Sequence, residues 1–219
     1  NFRGAVQDAA AIAPAFQGVD TVIHLAADGG AHSTEGMNAG WDSMLQNNVV
    51  GTYNVFAAAR DADVKRVIFA STGATVIGYE QESPWRDLVS EDDCATPASW
   101  PNVTRDSEPK PYSLYGASKL IGEDLARFFV NTSDMSIICL RIGGVGARDV
   151  VNGVRGRSIY CSHADMAQMA VKCVEAPSSV RFDIFYVVSN NKYGYRDISH
   201  ARDMVGYEPT GSAETAERA

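Results

Sequence analysis

Thr21-Val22-Ile23-His24-Leu25-Ala26 is a short β-branched apolar run after Gly18. The chain from Trp41 to Ala59 then carries apolar residues at helical spacing, before Val67-Ile68-Phe69-Ala70 returns to a strand pattern. Strand, helix and strand in succession predict two parallel neighbours, because a parallel pair needs a crossover long enough to hold a helix. The alternation continues downstream. Tyr112 to Val130 reads as a long amphipathic helix with Ile121, Leu125 and Phe128 on one face, and Ser136-Ile137-Ile138-Cys139-Leu140-Arg141-Ile142 reads as the next strand. Ser162 with Asp165 three residues later marks a helix start for Met166 to Val174, Ile184-Phe185-Tyr186-Val187-Val188 is a further strand, and a short helix follows near residues 197 to 205. Residues 80 to 111 are Pro-rich and read as irregular, and the polar tail from Thr210 to Ala219 reads as frayed. Short strands, apolar on both faces and alternating with helices, predict an α/β fold with a doubly wound parallel sheet.

At 219 residues, 45% apolar and 21% charged, the chain holds enough apolar material for one sizeable core, and a single domain over residues 1–219 is expected. No run approaches the ~18 apolar residues of a membrane span, and no basic segment followed by an apolar stretch opens the chain, so no membrane partner is expected. Nineteen Lys and Arg against 27 Asp and Glu give a formal charge of −8, the wrong sign for a phosphate-backbone binder, and nucleic acid is not an expected partner. Cys94, Cys139, Cys161 and Cys173 contain no C-x-x-C pair and read as free thiols in a reducing compartment, which points to the cytoplasm. His24, His32 and His163 are too scattered to make a metal-ligand set, so no metal is expected. A homo-oligomer stays open.

Tyr115-Gly116-Ala117-Ser118-Lys119 places a phenol and an ammonium four residues apart, one turn apart on the same helix face. A Tyr with pKa ~10 is a poor base at neutral pH, and a nearby Lys cation stabilises its phenolate. The pair is therefore suited to exchanging a proton with a substrate hydroxyl. Taken alone the spacing is common, and a surface Tyr and Lys would satisfy it.

Its setting is more specific. His24-Leu25-Ala26-Ala27 closes a strand, Asn47-Asn48-Val49-Val50-Gly51-Thr52 lies in the following helix, and Phe69-Ala70-Ser71-Thr72 ends the next strand. Tyr115 with Lys119 comes next, and Leu140-Arg141-Ile142-Gly143 follows a further strand. This ordered set resembles the extended short-chain dehydrogenase/reductase superfamily, also described as the NAD-dependent epimerase/dehydratase superfamily. Ser113 to Lys119, Gly122-Glu123-Asp124-Leu125-Ala126, Cys161-Ser162-His163-Ala164-Asp165-Met166 and Gly206-Tyr207-Glu208-Pro209 look most like its uronate dehydrogenase branch.

The resemblance implies a Rossmann-type fold and NAD as cofactor, with NADP open. It implies Tyr115 as general base, Lys119 as the residue that tunes it and holds the nicotinamide ribose, and Thr72 as the hydroxyl that polarises the reacting group, with Ser71 as its rival. Leu25, Ala26 and Ala27 would approach the cofactor through their backbone, Asn48 would sit behind Lys119, and Ile142 would also face the cofactor. Asp8 resembles the acid that meets the adenine amino group. Segments of about 144–160 and 189–219 would lie on the substrate side. The implied reaction transfers a hydride from the C1 hydroxyl of a sugar acid to the nicotinamide. A nucleotide-sugar epimerase or dehydratase, or a non-catalytic scaffold of the same fold, are the alternatives.

Two features depart from the pattern. No glycine-rich G-x-x-G-x-x-G turn is present, so a first βαβ unit of about 30 residues or more is expected to precede Asn1. Gly144 stands where the uronate branch has Ser, whereas Arg155 aligns with the branch's carboxylate-binding Arg when counted back from Cys161-Ser162. A guanidinium matches a carboxylate with two parallel bonds, although Arg155 between Arg148 and Arg157 also reads as a solvated loop residue.

Overall fold

The computed structural model describes residues 2–29, 40–90 and 96–218, so Cys94 and His32 lie outside the described residues. In chain order the elements begin with α1 (Ala9–Ile12), β1 (Thr21–His24) and α2 (Trp41–Ser43), which runs through a π-helical stretch (Met44–Val50) into α3 (Gly51–Asp61). They continue with β2 (Arg66–Thr72), a 3-10 stretch (Gly73–Gln81), α4 (Trp85–Val89), α5 (Leu114–Thr132) and β3 (Ser136–Ile142). The last are α6 (Gly153–Ile159), α7 (His163–Val174), β4 (Phe182–Val187) and α8 (Ser199–Val205). The strands form one parallel sheet in the order β1-β2-β3-β4, with Thr21 opposite Arg66 and His24 opposite Phe69. The α/β class and its parallel sheet are as the sequence predicts. The four strands follow one another in the sheet in chain order.

Two compact units divide the chain, the first comprising Asn1–Thr75, Pro111–Leu140 and Pro177–Ile184. Val55, Phe56 and Ala59 of α3 and Ala126, Phe129 and Val130 of α5 meet Val67 and Phe69 of β2 and Ile137 and Cys139 of β3 in a shared core. The alternate residues Ile68, Ile138 and Leu140 are buried too, the both-faces burial that parallel strands require. Gly122 is where α5 crosses β2: a Cβ there would stand 2.5 Å from Phe69 Cζ, so only glycine admits this approach.

The second unit comprises Val76–Lys110, Arg141–Ala176 and Phe185–Ala219. Val76, Leu88, Val103, Tyr186 and Tyr195 pack together in one of its buried apolar clusters. Three sequence expectations are corrected here. The stretch from 80 to 111 holds α4, because Leu88 finds a core to fill. Residues 153–159 are helical, so the alternative of Arg155 as a loop residue does not hold. The tail from Thr210 is tied down: Asp165 Oδ1 accepts from Thr210 N–H at 2.8 Å, Val151 N–H donates to Glu217 C=O at 2.8 Å, and Ala213 is buried. These backbone donors have partners that no local pattern reveals. Cys139, Cys161 and Cys173 are buried free thiols. Among the described residues no helix is long and apolar enough to cross a membrane, and no group of His, Cys, Asp or Glu could hold a metal ion.

Candidate active site

Ser113 caps α5, its hydroxyl accepting from Gly116 N–H at 3.1 Å, which sets Tyr115 in the first helical turn. A Cβ on Gly116 would come within 2.5 Å of Ala74 C=O, so this turn lies directly on the chain leaving β2. That contact brings Tyr115 to Thr72, the last residue of β2. Burial raises the Tyr115 pKa above its usual value, and the hydrogen bond from Thr72 draws it partly back. Thr72 Oγ1 also accepts from Ala74 N–H at 3.1 Å, which orients its hydroxyl. Ser71 points elsewhere and donates to the buried Glu123 carboxylate at 2.6 Å. Of the two hydroxyls, only Thr72 is hydrogen-bonded to Tyr115.

Lys119 is 1% exposed, and burial lowers its pKa to about 8. Its Nζ lies 4.9 Å from the Phe69 ring centroid and 5.7 Å from that of Tyr115. Among the described residues, its cation faces these two rings. His24 closes β1 with Nε2 3.2 Å from Thr52 Oγ1, and burial, reinforced by the Lys119 charge, lowers its pKa to about 3. His24 is therefore a neutral core imidazole.

Leu25, Ala26 and Ala27 follow β1 with exposed side chains. Asn48, within the π-helical stretch, is fully buried; its Nδ2 donates to Ser118 Oγ at 3.0 Å, and that hydroxyl donates to Tyr115 C=O at 2.8 Å. Asn48 thus reaches the helix turn that carries Tyr115 and Lys119. A π-type turn displaces side-chain register locally and recurs at functional sites. Asp8 uses its carboxylate to cap α1, accepting from Ala11 N–H at 3.1 Å. Nothing in this cap involves Lys119 or Tyr115.

Ile142 and Arg155 belong to the second unit. Ile142 ends β3 and is half-buried. Arg155, on α6, is no loop residue: its Nε donates to Glu80 Oε2 at 2.5 Å and its Nη2 to Glu80 Oε1 at 3.0 Å. Burial opposes the charge on Arg155, and the bond and charge of Glu80 more than offset it, raising the pKa. Tyr195 donates to the same carboxylate at 2.5 Å, and Arg196 Nη2 lies 3.7 Å from it. Sequence reasoning missed Glu80, Tyr195 and Arg196. Glu80 stands 75 positions before Arg155, Tyr195 and Arg196 stand 40 and 41 beyond it, and none shares a motif with it, so no spacing signal existed. His163, considered and set aside as a ligand, bonds locally through Nε2 to Gly146 C=O at 2.6 Å.

Comparison with known proteins is consistent with this arrangement. The model of the NAD dependent epimerase/dehydratase family matches residues 1–206. The chain is 33% identical over 205 residues to NAD-dependent glucose-6-phosphate dehydrogenase of Haloferax volcanii, covering 93% of this chain and 73% of that protein. It is 30% identical to L-arabinose 1-dehydrogenase (NAD(P)(+)) of the same organism over 96% of this chain and 82% of that protein. It is also 30% identical to uronate dehydrogenase of Pseudomonas putida over 95% of this chain and 67% of that protein. Among solved structures, a mutant of uronate dehydrogenase from Agrobacterium tumefaciens complexed with NAD matches with a TM-score of 0.77 and 27% identity, over 97% of this chain and 69% of that one. With the family model spanning nearly all of it and an α/β core that carries Tyr115, Lys119 and Thr72 together, this chain belongs to the NAD dependent epimerase/dehydratase family.

Proposed function

We propose that the protein is an NAD-dependent dehydrogenase that oxidises the C1 hydroxyl of a cyclic sugar acid, a uronate, to the lactone. The observation that carries the reading is the triad of Thr72, Tyr115 and Lys119, in which a hydroxyl bonds the phenol and an ammonium stands 5.7 Å from its ring. Dehydrogenase relatives, uronate dehydrogenase among them, support this chemistry over the epimerase, dehydratase and scaffold alternatives. Three buried thiols support a reducing, cytoplasmic setting.

The nicotinamide, when bound, supplies the hydride acceptor. The protein's own part is proton handling and orientation. Thr72 holds the reacting oxygen against the Tyr115 hydroxyl, and Tyr115 takes the C1 hydroxyl proton. The Lys119 cation favours the phenolate that this step requires and would hold the nicotinamide ribose when the cofactor is bound. Asn48 keeps the first turn of α5 in place through Ser118. The exposed residues Leu25, Ala26 and Ala27 and the half-buried Ile142 would offer cofactor contacts. Asp8, whose Oδ1 caps α1, would meet the adenine amino group. Arg155 supplies the fit to an acid substrate: with Nε and Nη2 turned to Glu80, the Nη1 side of the guanidinium remains for a carboxylate.

The test is turnover with NAD on glucuronate, galacturonate and glucose for the full-length enzyme and its Arg155→Leu variant. Loss of about 2–5 kcal/mol of transition-state stabilisation is expected on the uronates alone. Equal losses on all three sugars would remove Arg155 from the substrate site.

A further inference from the structure

Thr75 is a polar side chain with no exposure to solvent. Its hydroxyl donates to Thr72 C=O at 2.9 Å, three residues back. Threonine in a helical turn commonly returns its hydroxyl to a carbonyl three or four residues earlier, and here that carbonyl belongs to the residue that hydrogen-bonds Tyr115. A second bond closes the same segment, because Ala74 N–H donates to Thr72 Oγ1 at 3.1 Å. Thr72 is therefore held at two points, its carbonyl by Thr75 and its hydroxyl oxygen by Ala74. With Ala74 N–H on that oxygen, the hydroxyl hydrogen is left for the oxygen of Tyr115.

The same segment is the surface on which the first turn of α5 rests. A Cβ on Gly116 would stand 2.5 Å from Ala74 C=O, so the residue next to Tyr115 touches the middle of residues 72–75. Thr72 stands at one end of this stretch and Thr75 secures the other. The shape of four residues thus sets where the Thr72 hydroxyl points relative to the turn that carries Tyr115.

We propose that Thr75 is a positioning residue for the reaction: by holding the backbone carbonyl of Thr72, it aims the Thr72 hydroxyl at Tyr115. The inference rests on the roles of Thr72 and Tyr115 given above and adds the residue that keeps the first of them in place. Being fully buried, Thr75 acts through Thr72 rather than on the sugar.

The experiment compares the full-length enzyme with Thr75→Val, Thr75→Ser, Thr72→Val and the double variant Thr72→Val/Thr75→Val. Each is assayed with NAD and whichever of glucuronate, galacturonate and glucose the wild type oxidises fastest. Valine keeps the branching of threonine and drops the hydroxyl. Thr75→Val should lower kcat about tenfold, with KM for the sugar changing less than about threefold. It should also move the alkaline limb of the pH profile upward, as the Thr72 hydroxyl loses its aim at Tyr115. Thr75→Ser keeps a hydroxyl and should stay within about threefold of wild type. In the Thr72→Val background, Thr75→Val should lower kcat by less than about a further threefold, because the hydroxyl that Thr75 aims is already gone. The unfolding midpoint should still fall there, since the bond to the residue 72 carbonyl is lost in both backgrounds.

A Thr75→Val kcat within about threefold of wild type, or a loss that multiplies in full on Thr72→Val, overturns the positioning role and leaves the triad of Thr72, Tyr115 and Lys119 standing. A Thr75→Ser variant as slow as Thr75→Val does the same. If Thr75→Val does not fold, Thr75→Ala is read by the same criteria, and failure of both to fold makes Thr75 a residue of folding alone and overturns the proposal. Full wild-type turnover in Thr72→Val overturns the triad reading itself, and the assignment of Thr75 with it.

Discussion

Asn48 and Asp28 clamp one another: Asn48 Oδ1 accepts from Asp28 N–H at 2.7 Å, and Asn48 Nδ2 donates to Asp28 C=O at 2.9 Å. One amide side chain thereby mimics a strand partner for the segment leaving β1, while its second Nδ2 hydrogen reaches Ser118 on α5. The exit of β1 and the turn bearing Tyr115 and Lys119 are thus referenced to a single buried side chain.

Asn48→Ala should accordingly destabilise the protein by about 2–4 kcal/mol, from several buried bonds lost together. Asn48→Asp should also destabilise, because a carboxylate accepts from Asp28 N–H but cannot donate to its C=O. Denaturant unfolding gives the stability and calorimetric titration the NAD affinity, which should fall in both variants. Unchanged unfolding midpoints would show that the clamp is dispensable.

Thr72 and Ser71 should separate in a pH profile. Burial raises the Tyr115 pKa and the Thr72 bond lowers it, so oxidation should speed up with rising pH above neutrality as the phenolate forms. Thr72→Val removes the lowering contribution and should move that alkaline limb upward while reducing turnover about 10- to 100-fold. Ser71→Ala, which loses a bond to Glu123 instead, should leave the position of the limb alone. The profile of kcat/KM for each variant checks this.

Lys119→Met should raise stability while abolishing function. A lysine lowered by burial from 10.5 to about 8 carries a penalty of about 3 kcal/mol at neutral pH. Methionine keeps the apolar stem and drops the charge, and allowing for the lost contacts with Phe69 and Tyr115, a gain of about 1–3 kcal/mol is expected in the absence of NAD. The unfolded lysine holds its proton up to about 10.5 and the folded one only to about 8, so the penalty is whole below pH 8 and fades between these values. The stability gap between variant and wild type, measured by unfolding at pH 7, 9 and 10, should narrow accordingly.

His24 makes the protein acid-sensitive. Its folded pKa of about 3 lies below the ordinary 6.5, so as pH falls through 6.5 the unfolded chain takes up a proton that the folded one refuses. Stability from this group is complete above pH 6.5 and is lost as the pH drops toward 3, at up to about 1.4 kcal/mol per pH unit. His24→Gln, which retains an amide partner for Thr52, should flatten that slope. Unfolding curves at pH 7, 5.5 and 4.5 for both proteins are the measurement.

Periodicity alone makes β1, β2, β3 and β4 and the helices α3, α5 and α7 legible, because each strand is apolar on both faces and each helix repeats its apolar residues at one spacing. The Tyr115 and Lys119 pairing follows from the same local rule, since a helix brings residues four apart to one face whatever surrounds it. Short helices such as α4 and α6 carry too few turns for a pattern, and the tail after Thr210 looked frayed because its partners, Asp165 and Val151, lie far off in sequence. The choice between Ser71 and Thr72 was likewise invisible: neighbours on a strand face opposite ways, and only packing against α5 and Glu123 decides which one faces Tyr115. Arg155 shows the same division most plainly. Its residue type and place were readable, whereas its state, held by Glu80 with Tyr195 and Arg196 behind, arises from contacts between segments 75 to 116 residues apart that no local rule connects.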